Sequence, residues 1–282
     1  MKKRVVVTGG SGFIGKKIIE ELIESDYKVI SLQRSSKNLD NVEIRHFDMA
    51  DLSSITRTMF LDVDVVIHAA ALVHNFKADE SAHRTLNFEA TKCLFKACAA
   101  AEVDKFVFIS TVGVYGSCSS KKPIGINSQT YPVSPYGVAK LDSENFLLSS
   151  DSSTAISIIR LPLVYGKNAP GNYGVLERIA KTRLPLPFLN TRNKRSMVSV
   201  ESVAKVIKNT VKRKEKYLGL HLLAEKKPYS TKEIVEKIRA QNGLSPMLFA
   251  VPLPLMKIAL SAIGKRQLYE QLYEDLEFVS TI

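Results

Sequence analysis

Apolar and polar positions in the first half of the chain follow two periods in turn. Runs rich in β-branched and aromatic residues at 4–8, 28–33, 42–47, 63–69, 105–110 and 155–161 read as strands. Between them, 13–25, 52–60, 80–101 and 135–149 carry helical periodicity or composition. Such β-α repetition predicts an α/β fold, a Rossmann-type doubly wound parallel sheet.

Past residue 162 the pattern loosens at Pro162, Pro170, Pro185 and Pro187, then resumes with strands at 196–200 and 218–223 and helices at 201–212 and 231–242. The expected organisation is a dinucleotide-binding domain over 1–161, completed by about 196–223. Residues 162–195 and 224–282 would then form a small C-terminal substrate lobe over the strand ends where α/β sheets take ligands. The longest apolar run, 248–263, is interrupted by Pro252, Pro254 and Lys257 and falls short of the roughly 20 apolar residues of a bilayer crossing. It reads as a packed helix of that lobe.

Composition changes this picture little. The 282 residues, 45% hydrophobic and 24% charged, suit one large α/β domain with a smaller lobe. The net charge of +12 comes from Lys and Arg spread along the chain without a zinc-finger or RRM signature. A ligand bearing diphosphates, rather than nucleic acid, is therefore the expected beneficiary of the positive field. Cys93, Cys98 and Cys118 form no CxxC pair and lack accompanying His spacing, so no metal site and a reducing, cytoplasmic compartment are expected. The basic start Met1-Lys2-Lys3-Arg4 precedes only three apolar residues, far short of a signal-peptide core.

Chemistry enters at Thr8-Gly9-Gly10-Ser11-Gly12-Phe13-Ile14-Gly15, between the first strand and the first helix. Bare backbone at such a junction lets a pyrophosphate approach the unpaired N–H groups of a helix N-terminus. In dinucleotide folds an acid about 20 residues further on takes the adenosine ribose hydroxyls. Here Gln33 stands at that place, followed by Arg34-Ser35-Ser36-Lys37, and a cation there suits a 2′-phosphate. NADP(H) is accordingly favoured over NAD(H). Asp48, after the third strand, is a candidate for the adenine amino group.

Tyr136 and Lys140 are spaced one helical turn apart and leave the same face. A nearby ammonium favours the phenolate and lowers a phenol from about 10 toward working pH, which suits proton transfer with a sugar hydroxyl. The strand 106–111 ends in Ser110-Thr111, where Thr111 can bond the same substrate oxygen.

Together, TGGSGFIG, HAAA (68–71), FVFISTVGVYG (106–116), SPYGVAK (134–140) and RLPLVYG (160–166) resemble the extended short-chain dehydrogenase/reductase family, in its NAD(P)-dependent nucleotide-sugar epimerase/dehydratase branch. The resemblance implies a catalytic triad in which Tyr136 is acid and base, Lys140 holds the nicotinamide ribose, and Thr111 polarises the C4 oxygen. It implies that Gly9, Gly12, Phe13, Ile14 and Gly15 line the pyrophosphate and that Ala69, Ala70 and Ala71 pass beside the cofactor. Asn87 takes a mainly structural part, and Asn172, Arg192 and Arg195 contact the nucleotide diphosphate. The substrate would be a UDP-sugar and the assembly a homodimer.

Departures narrow the reaction. Sugar 4,6-dehydratases carry Asp-Glu after the catalytic Thr, where this chain has Val112-Gly113. The LPLVYG and NKRSMVSV stretches are most similar to UDP-4-keto-hexosamine reductases, with UDP-hexose 4-epimerases as near neighbours. Reduction at C4 is the first expectation, 4-epimerisation the alternative, and a non-catalytic NADP sensor a remote one. Members of the subgroup usually run on to a Gly-Trp-Pro-type segment, whereas this chain stops at Phe278-Val279-Ser280-Thr281-Ile282 with no Trp, so the expectation is a substrate lobe lacking a part, either as a short form or by truncation. Outside these motifs, His68 reads as a packed strand-end residue, and Tyr115 and Tyr165 as pocket walls.

Overall fold

The computed structural model describes residues 2–34, 41–73, 79–212 and 219–282. In chain order the elements are β1 (Arg4–Thr8), α1 (Phe13–Ile23), β2 (Lys28–Gln33), β3 (Val42–His46), β4 (Val65–His68), α2 (Glu80–His83), α3 (Ala90–Ala100), β5 (Lys105–Thr111) and α4 (Pro135–Leu148). They continue as β6 (Ala155–Leu161), β7 (Leu163–Tyr165), α5 (Gly171–Ala180), β8 (Met197–Ser199), α6 (Val200–Lys212), β9 (Gly219–Leu222), α7 (Thr231–Gln241), α8 (Leu253–Ala262) and α9 (Arg266–Tyr273).

Seven strands form one parallel sheet in the order β3-β2-β1-β4-β5-β6-β9. Strand order reverses at β1, so the crevice outside the ends of β1 and β4 is where this fold takes a ligand. On one face, Ile18, Ile19 and Leu22 of α1 pack with Val203, Ile207 and Val211 of α6 against the sheet. On the other, Leu94, Phe95 and Cys98 of α3 and Leu147 of α4 cover Phe106, Phe108 and Ile158. Burial on both faces explains why the strands read as nearly continuous apolar runs.

Four expectations change in the folded chain. Residues 52–60 make two short 3₁₀ turns, Leu52–Ser54 and Arg57–Phe60, instead of a helix. Ser53 and Ser54 hydroxyls bond to Asp51, competing with the helical ladder, and of the residues in the two turns only Phe60 is buried. Residues 80–101 are broken by a π-helical segment, Arg84–Glu89. The strand around 197 does not extend the main sheet: Pro162 follows β6, and β7 pairs in parallel with β8 in a separate two-stranded sheet. The run 248–263 does form a helix, α8, yet none of its ten residues is buried. Only Leu253, Met256 and Leu260 lean on the lobe core of Tyr173, Phe188, Ile234, Ile238, Tyr269 and Tyr273.

The C-terminal segment returns to the main sheet. Phe278 bridges to Ile124, and the Thr281 N–H donates to Leu222 O at 2.8 Å. Lobe and sheet thereby share a small core that includes Val114, Tyr115, Leu222 and Leu276.

Candidate active site

The glycine loop is built by close backbone packing. Gly9 sits at φ +71°, and a Cβ there would lie 2.8 Å from the Cα of Ala70. A Cβ on Gly15 would lie 2.2 Å from Gly9 O. Gly12 occupies the N-cap of α1 with no side chain to cap it, leaving the first-turn N–H groups of an eleven-residue helix facing the switch point. A diphosphate fits this cradle because backbone donors and the helix dipole meet it where any side chain would intrude. The Ile14 side chain packs toward the main core, while the Phe13 ring lies between the loop and the lobe, 3.3 Å from where Gly166 would carry a Cβ. Ala70 N–H donates to Thr8 Oγ1, which binds Nδ1 of the buried His68, whose Nε2 meets Thr91 Oγ1. Burial holds the His68 imidazole well below its ordinary range, and it serves as packing between β1, β4 and α3.

At the adenosine end, Gln33 is buried, its Oε1 accepting from Ser31 Oγ, whereas Arg34 is exposed at the end of β2. Ser35, Ser36 and Lys37 lie outside the described residues. Asp48 Oδ1 accepts from the Ala50 N–H and caps the turn after β3. Ala69, Ala70 and Ala71 are partly buried just past β4, and the following Leu72 is clamped through both backbone groups by the Asn87 amide.

Tyr136 enters on a helix whose start is tightly specified. Ser134 caps α4 by accepting from Gly137 N–H at 3.1 Å, and Pro135 takes the first helical position. A Cβ on Gly137 would lie 2.9 Å from Gly113 O, so the first turn of α4 presses on the 3₁₀ turn after β5. Thr111 caps that turn, its Oγ1 accepting from Gly113 N–H at 3.0 Å, which leaves its own proton to donate. Thr111 and Tyr136 are thus brought to the same sheet edge, at the ends of β5 and the start of α4.

Lys140 is 2% exposed, donates to Ile109 O at 2.8 Å, and stands 4.3 Å over the Phe108 ring and 6.0 Å from the Tyr136 ring centre. Burial pulls its ammonium down to about 7, partly opposed by the Glu144 carboxylate. The expected lowering of the Tyr136 phenol by Lys140 is therefore reversed in this structure: burial pushes the phenol up. A lysine whose own charge is weakened by burial, bonded to a strand carbonyl, does not offset the desolvation of a phenolate.

Beneath this pair lies a buried network absent from the sequence-based expectations. Glu144 accepts from Ser110 Oγ at 2.5 Å and from Arg160 Nη2 at 2.6 Å, and Arg160 Nη1 donates to the Tyr115 hydroxyl at 2.7 Å. Tyr115 is consequently a core residue instead of a pocket wall. Its signal in the sequence was a charged residue inside the apolar strand 155–161, together with a glutamate four residues after Lys140 on the same helix face.

The residues expected to meet the nucleotide diphosphate are less concentrated. Arg192 is exposed, and Asn172 is exposed at the start of α5, with its amide 3.2 Å from Gln271 Oε1. Arg195 is half-buried, and its Nη1 donates to the carbonyls of Cys118, Glu270 and Glu274. The last two belong to the C-terminal turn of α9, where orphan carbonyls attract a guanidinium. Tyr165 donates to both oxygens of Glu225, at 2.9 and 3.1 Å, and Lys237 lies over its ring.

Residues 5–218 match the NAD dependent epimerase/dehydratase family. The chain belongs to that family. It is an enzyme of the extended short-chain dehydrogenase/reductase type. Over 288 aligned residues it is 28% identical to a UDP-glucose 4-epimerase of Vibrio cholerae, covering 98% of this chain and 87% of the relative. The fold superposes on a UDP-N-acetylglucosamine 4-epimerase from Bacillus cereus with TM-score 0.79 and 23% identity, covering 99% of this chain and 88% of that one. It superposes on MoeE5, solved with UDP-glucose and NAD, with TM-score 0.76 and 22% identity over 99% and 89%.

Proposed function

We propose that this family member moves hydride at C4 of a UDP-sugar, with Thr111, Tyr136 and Lys140 as its catalytic residues. The observation that carries the reading is the packing of Gly137 on Gly113, which holds Tyr136 and Thr111 at one strand end while Lys140 stands one turn behind. Residues 1–161, with α6 and β9, hold the dinucleotide, and the rest forms the substrate lobe.

The loop at Gly9, Gly12, Phe13, Ile14 and Gly15 binds the pyrophosphate through backbone N–H groups, and Ala69, Ala70 and Ala71 flank the cofactor. When bound, a nicotinamide dinucleotide supplies the hydride and, oxidised, a positive charge. Thr111 donates its free hydroxyl proton to the sugar oxygen, and Tyr136 takes or returns the C4 hydroxyl proton. Lys140 leaves or shares Ile109 O to bind ribose hydroxyls. Val112 and Gly113 can move no proton, which argues against dehydration.

Two directions of use remain within this chemistry. Reduction of a 4-keto sugar with exchangeable NADPH is supported by the exposed Arg34 and the absence of an acid at Gln33. Epimerisation with retained NAD is supported by the similarity to epimerases along nearly the whole chain. Asp48 as an adenine contact and Arg192 and Asn172 as diphosphate contacts complete the reading, as does a cytoplasmic homodimer through the exposed Val138 and Leu148 of α4.

The deciding experiment is mass spectrometry of the nucleotide released on denaturation, followed by turnover of UDP-hexoses and of 4-keto UDP-sugars with NADPH. Retained NAD with interconversion of UDP-hexoses selects epimerisation, and an empty protein that oxidises NADPH selects reduction. Neither activity in the presence of a bound dinucleotide sinks the C4 proposal.

A further inference from the structure

Helix α8 and the segment before it present apolar side chains to solvent on a rigid frame. Leu255, Ile258 and Ile263 are 59%, 65% and 64% exposed, and Met247 and Phe249 just upstream are nearly half exposed. Scattered exposed leucines are ordinary, but these adjoin others. Residues 247–249 pair with 186–189: Leu186 N–H donates to Met247 O, Phe249 N–H to Leu186 O, and Leu189 N–H to Phe249 O. Leu186 and Leu248 turn inward, and Leu184 (66% exposed) and Leu189 join the outer belt.

The frame is held from inside by Arg239. Its guanidinium, 1% exposed, donates to the carbonyls of Ala180, Thr182, Leu184, Pro246 and Met247. A buried cation that ties five carbonyls of two loops fixes where their side chains point. The outward apolar side chains are therefore presented, not frayed.

Charge selects the occupant. No Asp or Glu occurs between Glu177 and Glu201, or between Glu236 and Glu270, and these are the two segments that the fold brings together. They supply Arg178, Lys181, Arg183, Lys257, Lys265 and Arg266. Three of these cations meet carboxylates from outside the segments, Lys181 with Glu177 at 2.7 Å, Lys257 with Glu274 at 3.5 Å and Arg266 with Glu270 at 3.3 Å, but such surface pairs are weak and exchange readily for another anion. A second copy of the same face would set cations against cations.

We propose that this face docks on an anionic phospholipid surface, with Leu255, Ile258, Ile263, Met247 and Phe249 entering the headgroup boundary and Lys265, Arg266 and Arg183 facing lipid phosphates. At ten residues α8 spans only about 15 Å, and no helix among the described residues is long and apolar enough to cross a membrane. It lies in the interface instead. Docking is independent of the C4 chemistry proposed above.

The test is co-sedimentation of the full chain with extruded vesicles, either pure phosphatidylcholine or phosphatidylcholine with phosphatidylglycerol. The protein is expected to pellet with the anionic vesicles only. Leu255→Ser with Ile258→Ser should lower the partition coefficient about tenfold or more through lost apolar contact. Lys265→Glu with Arg266→Glu should lower it too, with unchanged circular dichroism in both variants because these side chains are exposed. The proposal is overturned by protein that stays in solution with both vesicle types, or by vesicle binding that the apolar double variant leaves intact. It is equally overturned if sedimentation velocity finds an oligomer that this variant dissociates, since a second copy would then cover the face.

Discussion

Lys140 Nζ donates to the carbonyl oxygen of Ile109 at 2.8 Å, on the strand that ends in Thr111, so the lysine of the family motif is anchored to the sheet. The burial of this lysine has a pH signature. The unfolded lysine gains its proton below 10.5, whereas the folded one gains it only below about 7. Between these values the unfolded chain binds more protons, so the contribution is complete above 10.5 and is lost as pH falls to about 7. Relative to Lys140→Met, the wild-type protein should gain up to about 1.4 kcal/mol of stability per pH unit in this window. Urea unfolding of both proteins at pH 7 and 9 measures it, and parallel changes in the two would refute the assignment.

Tyr136 carries the proposed proton transfer. Tyr136→Phe is expected to lower kcat by roughly 10²- to 10⁴-fold while leaving UDP affinity within error. Thr111→Val should lower kcat less, because only a hydrogen bond to the sugar oxygen is lost. Steady-state rates with calorimetric UDP binding separate the two effects.

The Glu144–Arg160 pair is nearly dry, with side chains 1% and 4% exposed. Removing one partner by Glu144→Leu or Arg160→Met should cost about 3–5 kcal/mol, since the other charge remains buried. Glu144→Leu with Arg160→Met should recover much of that loss, and denaturant unfolding of the four-member cycle reports the coupling. Additive single effects would mean that the pair does not act as one unit.

Gly15→Ala introduces a Cβ at 2.2 Å from Gly9 O, where no flexible side chain can yield. A stability loss of about 1–3 kcal/mol is expected from the displaced loop. Dinucleotide affinity by calorimetry should fall with it, and undiminished binding would show that the loop is not the pyrophosphate cradle.

The periodicity that made β1, β2, β4, β5 and β6 legible arises from burial on both faces, a local consequence of side-chain type. The glycine loop was legible for a similar reason, because its contacts at Gly9 and Gly15 allow no other residue. Residues 52–60 were misread because local bonds of Ser53 to the Asp51 carboxylate and of Ser54 to the Asp51 carbonyl favour 3₁₀ turns there, which apolar periodicity does not record. The carbonyl partners of Arg195 were not legible, because its motif context says nothing about the α9 carbonyls that lie some eighty positions away.

What the sequence determined by itself was whatever one segment encodes: strand and helix identity, the capped start of α4, the one-turn spacing of Tyr136 and Lys140, and the bare loop before α1. Only the tertiary structure decided what depends on partners distant along the chain. It turned Lys140 toward Ile109, buried Glu144 against Arg160, sent β8 to β7, and left α8 facing outward. Hydrogen-bond direction, desolvation and exposure are properties of neighbours in space, and no one-dimensional pattern carries them.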